Sequence, residues 1–253
     1  MKPQPGPHPR DEQLRQTLAE RGLWATRAAF DRYHAALFRG LSFAGRTVLD
    51  VGGGIGTCSF LAALGGAREV VCLDPEFEGA TRGTGDKFRA IATEFDLAHV
   101  RIEPVTLQTY RAPPASVDVV VFHNSINHVE EEACIALRRR DATGDAARQT
   151  YRRIFTQVAD LMPPGGDLII ADCSSENLFP RLGLRHPISR SIEWHKHQPP
   201  EVWARELAQV GFHRPRIQWT AYSRSGALGW KLTANRWAAY VLTGHFVLHM
   251  QRR

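Results

Sequence analysis

The sequence predicts an α/β fold: a seven-stranded, mostly parallel sheet with helices on both faces. Three observations predict it. Five short apolar, β-branched runs alternate with stretches of helical period. The first run opens into a glycine-rich turn and then a helix, Val48-Leu-Asp-Val-Gly-Gly-Gly-Ile-Gly-Thr57. Two more runs follow the last predicted helix of the alternation, which adds an antiparallel tail.

In chain order, residues 1–10 are Pro-rich and polar and read as a disordered tail. Residues 11–44 read as an N-terminal helical cap. Leu14, Leu18, Leu23 and Trp24, then Ala28, Phe30, Tyr33 and Leu37, recur at roughly helical spacing, and Gly40 is a plausible stop. Residues 45–253 form the main domain. Its five runs are Thr47–Val51, Glu69–Leu73, Val100–Val105, Val117–Phe122 and Asp167–Ala171. They are near-continuously apolar, as strands buried on both faces must be. Between Ala133 and Thr150 the charged stretch Arg138–Asp145 predicts a helix, an exposed turn and a second helix carrying Tyr151, Ile154, Phe155, Val158 and Leu161. The late runs are Arg216–Thr220 and His245–Met250. Segments at about 176–200 and 221–243 are left over as substrate covers.

Composition excludes several classes. The chain has 253 residues, 43% hydrophobic and 23% charged, which argues against a wholly disordered chain. The N-terminus has no apolar core of a secretory signal, and no run approaches the length needed to span a bilayer. Cys58, Cys72, Cys134 and Cys173 lie far apart without a CxxC pair and read as buried free thiols in a reducing cytoplasm. The formal charge is +6, and only four of the 32 basic residues are lysines. The arginines are scattered over predicted helix surfaces and both termini, so codon bias explains them better than a nucleic-acid stripe.

The glycine loop is the strongest chemical signal. Gly52, Gly53, Gly54 and Gly56 allow unusual dihedrals and close approach of backbone to a ligand, and the following helix offers free N–H groups to an anion. A glycine loop alone serves nicotinamide, flavin and adenosylmethionine sites. Two acids discriminate: Asp50 precedes the glycines, and Asp74 ends the next strand, where a carboxylate can take both ribose hydroxyls of an adenosine.

With these motifs the sequence resembles the class I S-adenosylmethionine-dependent methyltransferases. The likeness runs in order through Val48–Gly56, Val70–Asp74, Val117–His128 and Leu161–Asp172, with Gly244–His249 similar to the family's last strand. It covers residues 45–175 well and 200–253 loosely. The resemblance implies a Rossmann-like sheet and S-adenosylmethionine as cofactor, with S-adenosylhomocysteine as product. It implies that Asp50, Gly52, Gly54 and Gly56 hold the methionine half, that Asp74 binds the ribose, and that Pro75 or Phe77 lies beside the adenine. Thr106, Leu107 and Gln108 would occupy the adenine-contacting turn, although many relatives carry an aspartate near Thr106. His123 and Asn124 would line the cofactor cleft.

Methyl transfer from a sulfonium is an in-line displacement, so the protein mainly positions the nucleophile. A hydroxyl acceptor also needs a base, and histidine suits that task near neutral pH. His128, in Phe122–Val129 after the fourth strand, is one candidate; capping or packing of the helix start is the other reading. His195 and His197, in Ile192–Gln198, are further candidates for base or substrate contact. A metal held by them with Asp172 is a weaker alternative, and structural hydrogen bonding is the plain one. Trp230, Ala234, Trp237 and Val241 have helical spacing. They read as a helix over the acceptor pocket, a membrane-surface patch, or core.

The expected function is methyl transfer to a small-molecule acceptor, at oxygen rather than nitrogen or carbon. The later segment resembles that of bacterial small-molecule methyltransferases, which points to biosynthesis without naming a substrate. The alternatives are a nucleic-acid methyltransferase and a non-methylating cofactor binder. Against the former, the fourth strand ends in His123-Asn-Ser-Ile126 and not in the Asn/Asp-Pro-Pro-aromatic sequence used on exocyclic base amines.

Overall fold

A computed structural model describes residues 9–76, 82–187 and 189–253. Seven strands form one sheet in the order β3-β2-β1-β4-β5-β7-β6. They are β1 (Thr47–Val51), β2 (Glu69–Leu73), β3 (Val100–Glu103), β4 (Val119–His123), β5 (Asp167–Cys173), β6 (Phe212–Trp219) and β7 (His245–Arg252). β1 to β5 pair in parallel, β7 runs antiparallel to β5, and β6 runs antiparallel to β7. The strand order reverses between β1 and β4, and the crevice outside that point is where an α/β sheet takes its ligand.

Alternation along each strand splits the core into two layers. Leu49, Val51, Val120, Phe122, Leu168, Ile170, Phe246 and Leu248 face one side. There they meet Tyr151, Phe155 and Val158 of α6 (Ala142–Leu161) and Trp203 and Leu207 of α8 (Pro200–Ala208). Val48, Val70, Cys72, Val119, Val121, Ile169 and Val247 face the other. They meet helices α1 (Pro9–Arg21), α2 (Arg27–Leu37), α3 (Thr57–Leu64) and α4 (Thr84–Glu94) through Leu14, Leu18, Phe30, Phe60 and Phe88.

Pro9 and Arg10 of the predicted tail belong to α1; residues 1–8 lie outside the described residues. The cap is two helices, since Thr26 restarts the chain as an N-cap, its hydroxyl accepting from the amide of Ala29. The charged insert forms α5 (Glu131–Ala136) and then α6, whose N-cap Asp141 accepts from the amide of Gly144. The four cysteines are free and buried. Burial pushes each thiol up, that of Cys134 to about 12.

The first cover segment holds the short α7 (Leu178–Arg181) and a 3-10 turn at Trp194–Lys196. The second holds α9 (Gly226–Thr233) and α10 (Arg236–Leu242) between β6 and β7. Trp230 is buried beside Ala36 of α2 and Ala221, whereas Trp237 stands out in solvent. The helical spacing there is therefore part core and part exposed face.

Candidate active site

A cavity of about 520 Å³ opens at the carboxyl ends of β1 to β4. Val51 and Gly52 come from the end of β1, and Leu73, Asp74 and Pro75 from β2. Val105, Thr106, Leu107 and Gln108 follow β3, and Asn124, Ser125, His128 and Val129 follow β4, with Glu131 at the rim. Of the sequence candidates, Gly52, Asp74, Pro75, Thr106, Leu107, Asn124 and His128 thus come together. Phe77 lies outside the described residues.

Each wall has a local cause. Gly52, Gly54 and Gly56 all take left-handed backbone angles, φ 69°, 56° and 84°. Space distinguishes them. A Cβ on Gly52 would stand 2.6 Å from Ser125 Cβ, and one on Gly56 would stand 2.4 Å from the Phe88 ring. A Cβ on Gly54 would meet only Asp74 Oδ2, at 3.9 Å. Gly52 and Gly56 are needed for packing; Gly54 and Gly56 are not in the cavity lining, and the space at the Gly54 Cβ position stays open as a cradle beside Asp74.

Asp50 does not reach the cavity. It is fully buried, and its Oδ2 accepts from both the amide (3.0 Å) and the hydroxyl (2.7 Å) of Ser59. The N-cap of α3 is Gly56, which has no side chain to cap the helix. Asp50 supplies that carboxylate from β1 and locks the glycine loop to the helix. Burial pushes its pKa up to about 6 against the pull of the Ser59 hydrogen bonds, and nearby Asp74 adds to the rise. Its Oδ1 is buried without a partner.

Asp74, unlike Asp50, lines the cavity. Its Oδ2 accepts from the amide of Gly54 (2.9 Å) and its Oδ1 from the amide of Glu76 (3.0 Å). The two amides fix the orientation of the group and leave each oxygen a further lone pair. Leu107 is held from behind, where the Gln157 amide donates to its carbonyl at 2.6 Å. Gln108 donates to the carbonyl of Val129 at 2.7 Å and so ties the loops after β3 and β4 together.

Ser125 carries no motif in the sequence, yet it matters. Its hydroxyl donates to the carbonyl of Val51 at 2.5 Å, and its Cβ fills the space beside Gly52. Asn124 sits at φ 54°, a conformation asparagine tolerates better than most residues.

His123 lies outside the cavity lining. Alternation along β4 sends Phe122 toward α6, and His123 meets α2, where its Nε2 pairs with the hydroxyl of Tyr33 at 2.9 Å. Burial lowers His123 to about 4; His245 adds to the fall and Asp172 opposes it. Burial likewise pushes the Tyr33 hydroxyl up. Next to them, His197 Nδ1 stands 3.0 Å from Asp172 Oδ1 at the end of β5. Asp172 is almost wholly buried, with Oδ2 unpartnered. Tyr33 from the N-terminal cap and His197 from the first cover therefore gather at the ends of β4 and β5, and none of the four side chains lines the cavity.

The other two histidines are less enclosed. His128 pairs with Glu131 at 3.3 Å, and its side chain is 60% exposed. His195 is exposed on the 3-10 turn, so the extended geometry needed to set it on one face with His197 is absent. Among the described residues no three His, Cys, Asp or Glu side chains are grouped to hold a metal.

A family model described as a methyltransferase domain matches residues 16–214. The chain belongs to that family. It is a methyltransferase, with S-adenosylmethionine as its cofactor. Solved structures share the fold at low identity. An S-adenosylmethionine-dependent methyltransferase from Mesorhizobium loti is 18% identical with a TM-score of 0.59, covering 89% of this chain and 98% of that one. A SAM-dependent methyltransferase from Aquifex aeolicus is 13% identical at 0.55, covering 96% and 98%. The 4+2 cyclase SpnF is 16% identical at 0.56, covering 97% and 98%. One fold thus carries more than one reaction. No curated protein matches the chain in sequence.

Proposed function

We propose that this enzyme methylates a small-molecule acceptor at oxygen, with His197 as the base. The observation that carries the reading is the His197–Asp172 pair, 3.0 Å apart at the end of β5, the strand next to β4. The residues present fit the cofactor. The open cradle at Gly54 leaves room for it, and the fixed Asp74 carboxylate has lone pairs for two ribose hydroxyls. Gly52 and Gly56 shape the same loop, and Asp50 holds that loop in place from below. Pro75, Thr106 and Leu107 would bracket the adenine, and Asn124 would close the cleft from β4.

When bound, S-adenosylmethionine supplies a methyl on a sulfonium that is already a good leaving group. The chain's own task is to orient the acceptor and take its proton. With Nδ1–H donating to Asp172, the neutral ring of His197 presents Nε2 as acceptor for the hydroxyl proton. Asp172 holds the tautomer and stabilises the imidazolium that forms. His123 acts through position, because its hydrogen bond to Tyr33 joins the N-terminal cap to the end of β4.

The test is transfer of labelled methyl from S-adenosylmethionine across a panel of hydroxylated, aminated and carbon-nucleophile acceptors. Label in a methyl ether or ester supports the reading. Label only in amines, carbon acceptors or nucleic acid overturns it.

A further inference from the structure

We infer that the face formed by α7, α9 and α10 docks on an anionic membrane surface. The face is apolar where a monomer's surface is usually polar. Trp237 is 81% exposed, Leu228 72% and Leu232 67%. Leu182 and Leu184, just past α7, are also exposed. These side chains belong to one region, because α7 packs on α10 and α10 on α9. Leu228 and Leu232 stand one helical turn apart on α9, as Trp237 and Val241 do on α10. Exposed apolar residues so grouped mark an interaction surface.

Charge selects the occupant. Residues 177–192 and 220–245 contain Arg181, Arg185, Arg190, Arg224, Lys231 and Arg236 and no Asp or Glu. Arg181 and Arg185 bracket the two leucines of the α7 loop, Lys231 lies between Leu228 and Leu232, and Arg236 precedes Trp237. The acid that touches this face is Glu201 of α8, which stands 3.8 Å from Arg236 at its flank. Two copies of the chain meeting here would set cations against cations. A bilayer with anionic headgroups supplies the opposite charge and also accepts the apolar side chains. Tryptophan suits the headgroup boundary, where its ring is apolar and its N–H stays hydrated. Among the described residues no helix is long and apolar enough to cross a membrane, so the contact lies on the surface. The lining of the β1–β4 cavity includes none of these residues.

The experiment is co-sedimentation of the full chain with vesicles of phosphatidylcholine alone and of phosphatidylcholine mixed with phosphatidylglycerol. The mixed vesicles should pellet the protein and neutral ones should not. Binding should fall as salt shortens the screening length from about 10 Å at 0.1 M toward 3 Å at 1 M. Trp237→Ala should weaken vesicle affinity about tenfold, and Leu228→Ser with Leu232→Ser should weaken it further. Lys231→Gln with Arg224→Gln should remove the preference for anionic lipid. An unchanged melting temperature identifies each variant as folded. Three results overturn the inference: no pelleting with mixed vesicles, equal pelleting with both kinds, or pelleting of Trp237→Ala at wild-type affinity. Sedimentation velocity that shows a dimer broken by Trp237→Ala also overturns it, by assigning the face to a second copy.

Discussion

Gly54 and Gly56 both sit at positive φ two residues apart, yet substitution should separate them cleanly. An alanine at either position bears the left-handed strain of a residue with a Cβ, about 1–2 kcal/mol. At Gly54 nothing else is added, because the new methyl meets only Asp74 Oδ2, at 3.9 Å. At Gly56 the methyl would lie 2.4 Å from the Phe88 ring and 2.9 Å from Phe60. Both rings are fully buried and packed on each other with centroids 4.7 Å apart. Overpacking there adds about 1–3 kcal/mol, for a total of about 2–5 kcal/mol. In a domain of this size 1 kcal/mol shifts the melting temperature by about 2–4 °C. Gly54→Ala should therefore melt about 2–8 °C below the wild type, and Gly56→Ala up to about 20 °C below it. Cofactor affinity should rank the other way for the folded fraction. Gly54→Ala fills the cradle and should weaken S-adenosylhomocysteine binding by about tenfold or more. Thermal melts and calorimetry on both variants decide the matter. If Gly54→Ala melts as low as Gly56→Ala, or binds within about threefold of wild type, the assignment of Gly54 to the ligand is refuted.

Asp74→Asn keeps the shape but replaces an acceptor oxygen with a donor that must face the amide of Gly54 or Glu76. Loss of charge-assisted bonds to two ribose hydroxyls should cost about 2–4 kcal/mol, or about 30- to 1000-fold in cofactor affinity by calorimetry. His197→Gln should lower kcat by about 10²–10⁴-fold, whereas exposed His195→Gln should stay within about threefold. Acid should destabilise the fold through its buried histidines. Burial lowers His34 to about 3, against the raising effect of its hydrogen bond to Phe30, and it lowers His123 to about 4. Between those values and 6.5 the unfolded chain binds more protons, so stability falls as pH drops below 6.5. Asp50, raised to about 6, works in the opposite sense between 3.8 and 6. His34→Gln should remove about 1.4 kcal/mol per pH unit from the slope measured by urea denaturation between pH 6.5 and 5.

The parts that were legible in the sequence share a physical basis. β1, β2, β4 and β5 are buried on both faces, so their apolar runs are nearly unbroken and easily seen. β6 is an edge strand whose residues His213–Arg216 are partly or fully exposed and whose register slips between His213 and Arg216. Its polar first half hides it, and the periodic signal begins only at Arg216. The glycine loop and Asp74 act through neighbours close in the chain and were legible for that reason. Ser125 was not, and Tyr33 was legible as a residue of the cap helix but not as a partner of His123, because the contacts to Val51 and His123 span 74 and 90 residues with no local pattern to reveal the pairing. Asp50 was visible as an acid before the glycines, but its direction was not. The sequence shows that a carboxylate is present, and only packing shows that it turns down to Ser59 rather than up into the cavity.

Calorimetric titration of the full chain with S-adenosylhomocysteine tests the central claim most directly. The account predicts saturable one-to-one binding that weakens by about 30-fold or more in Asp74→Asn. A wild-type chain that gives no binding, or an Asp74→Asn variant that binds as tightly as wild type, would contradict it.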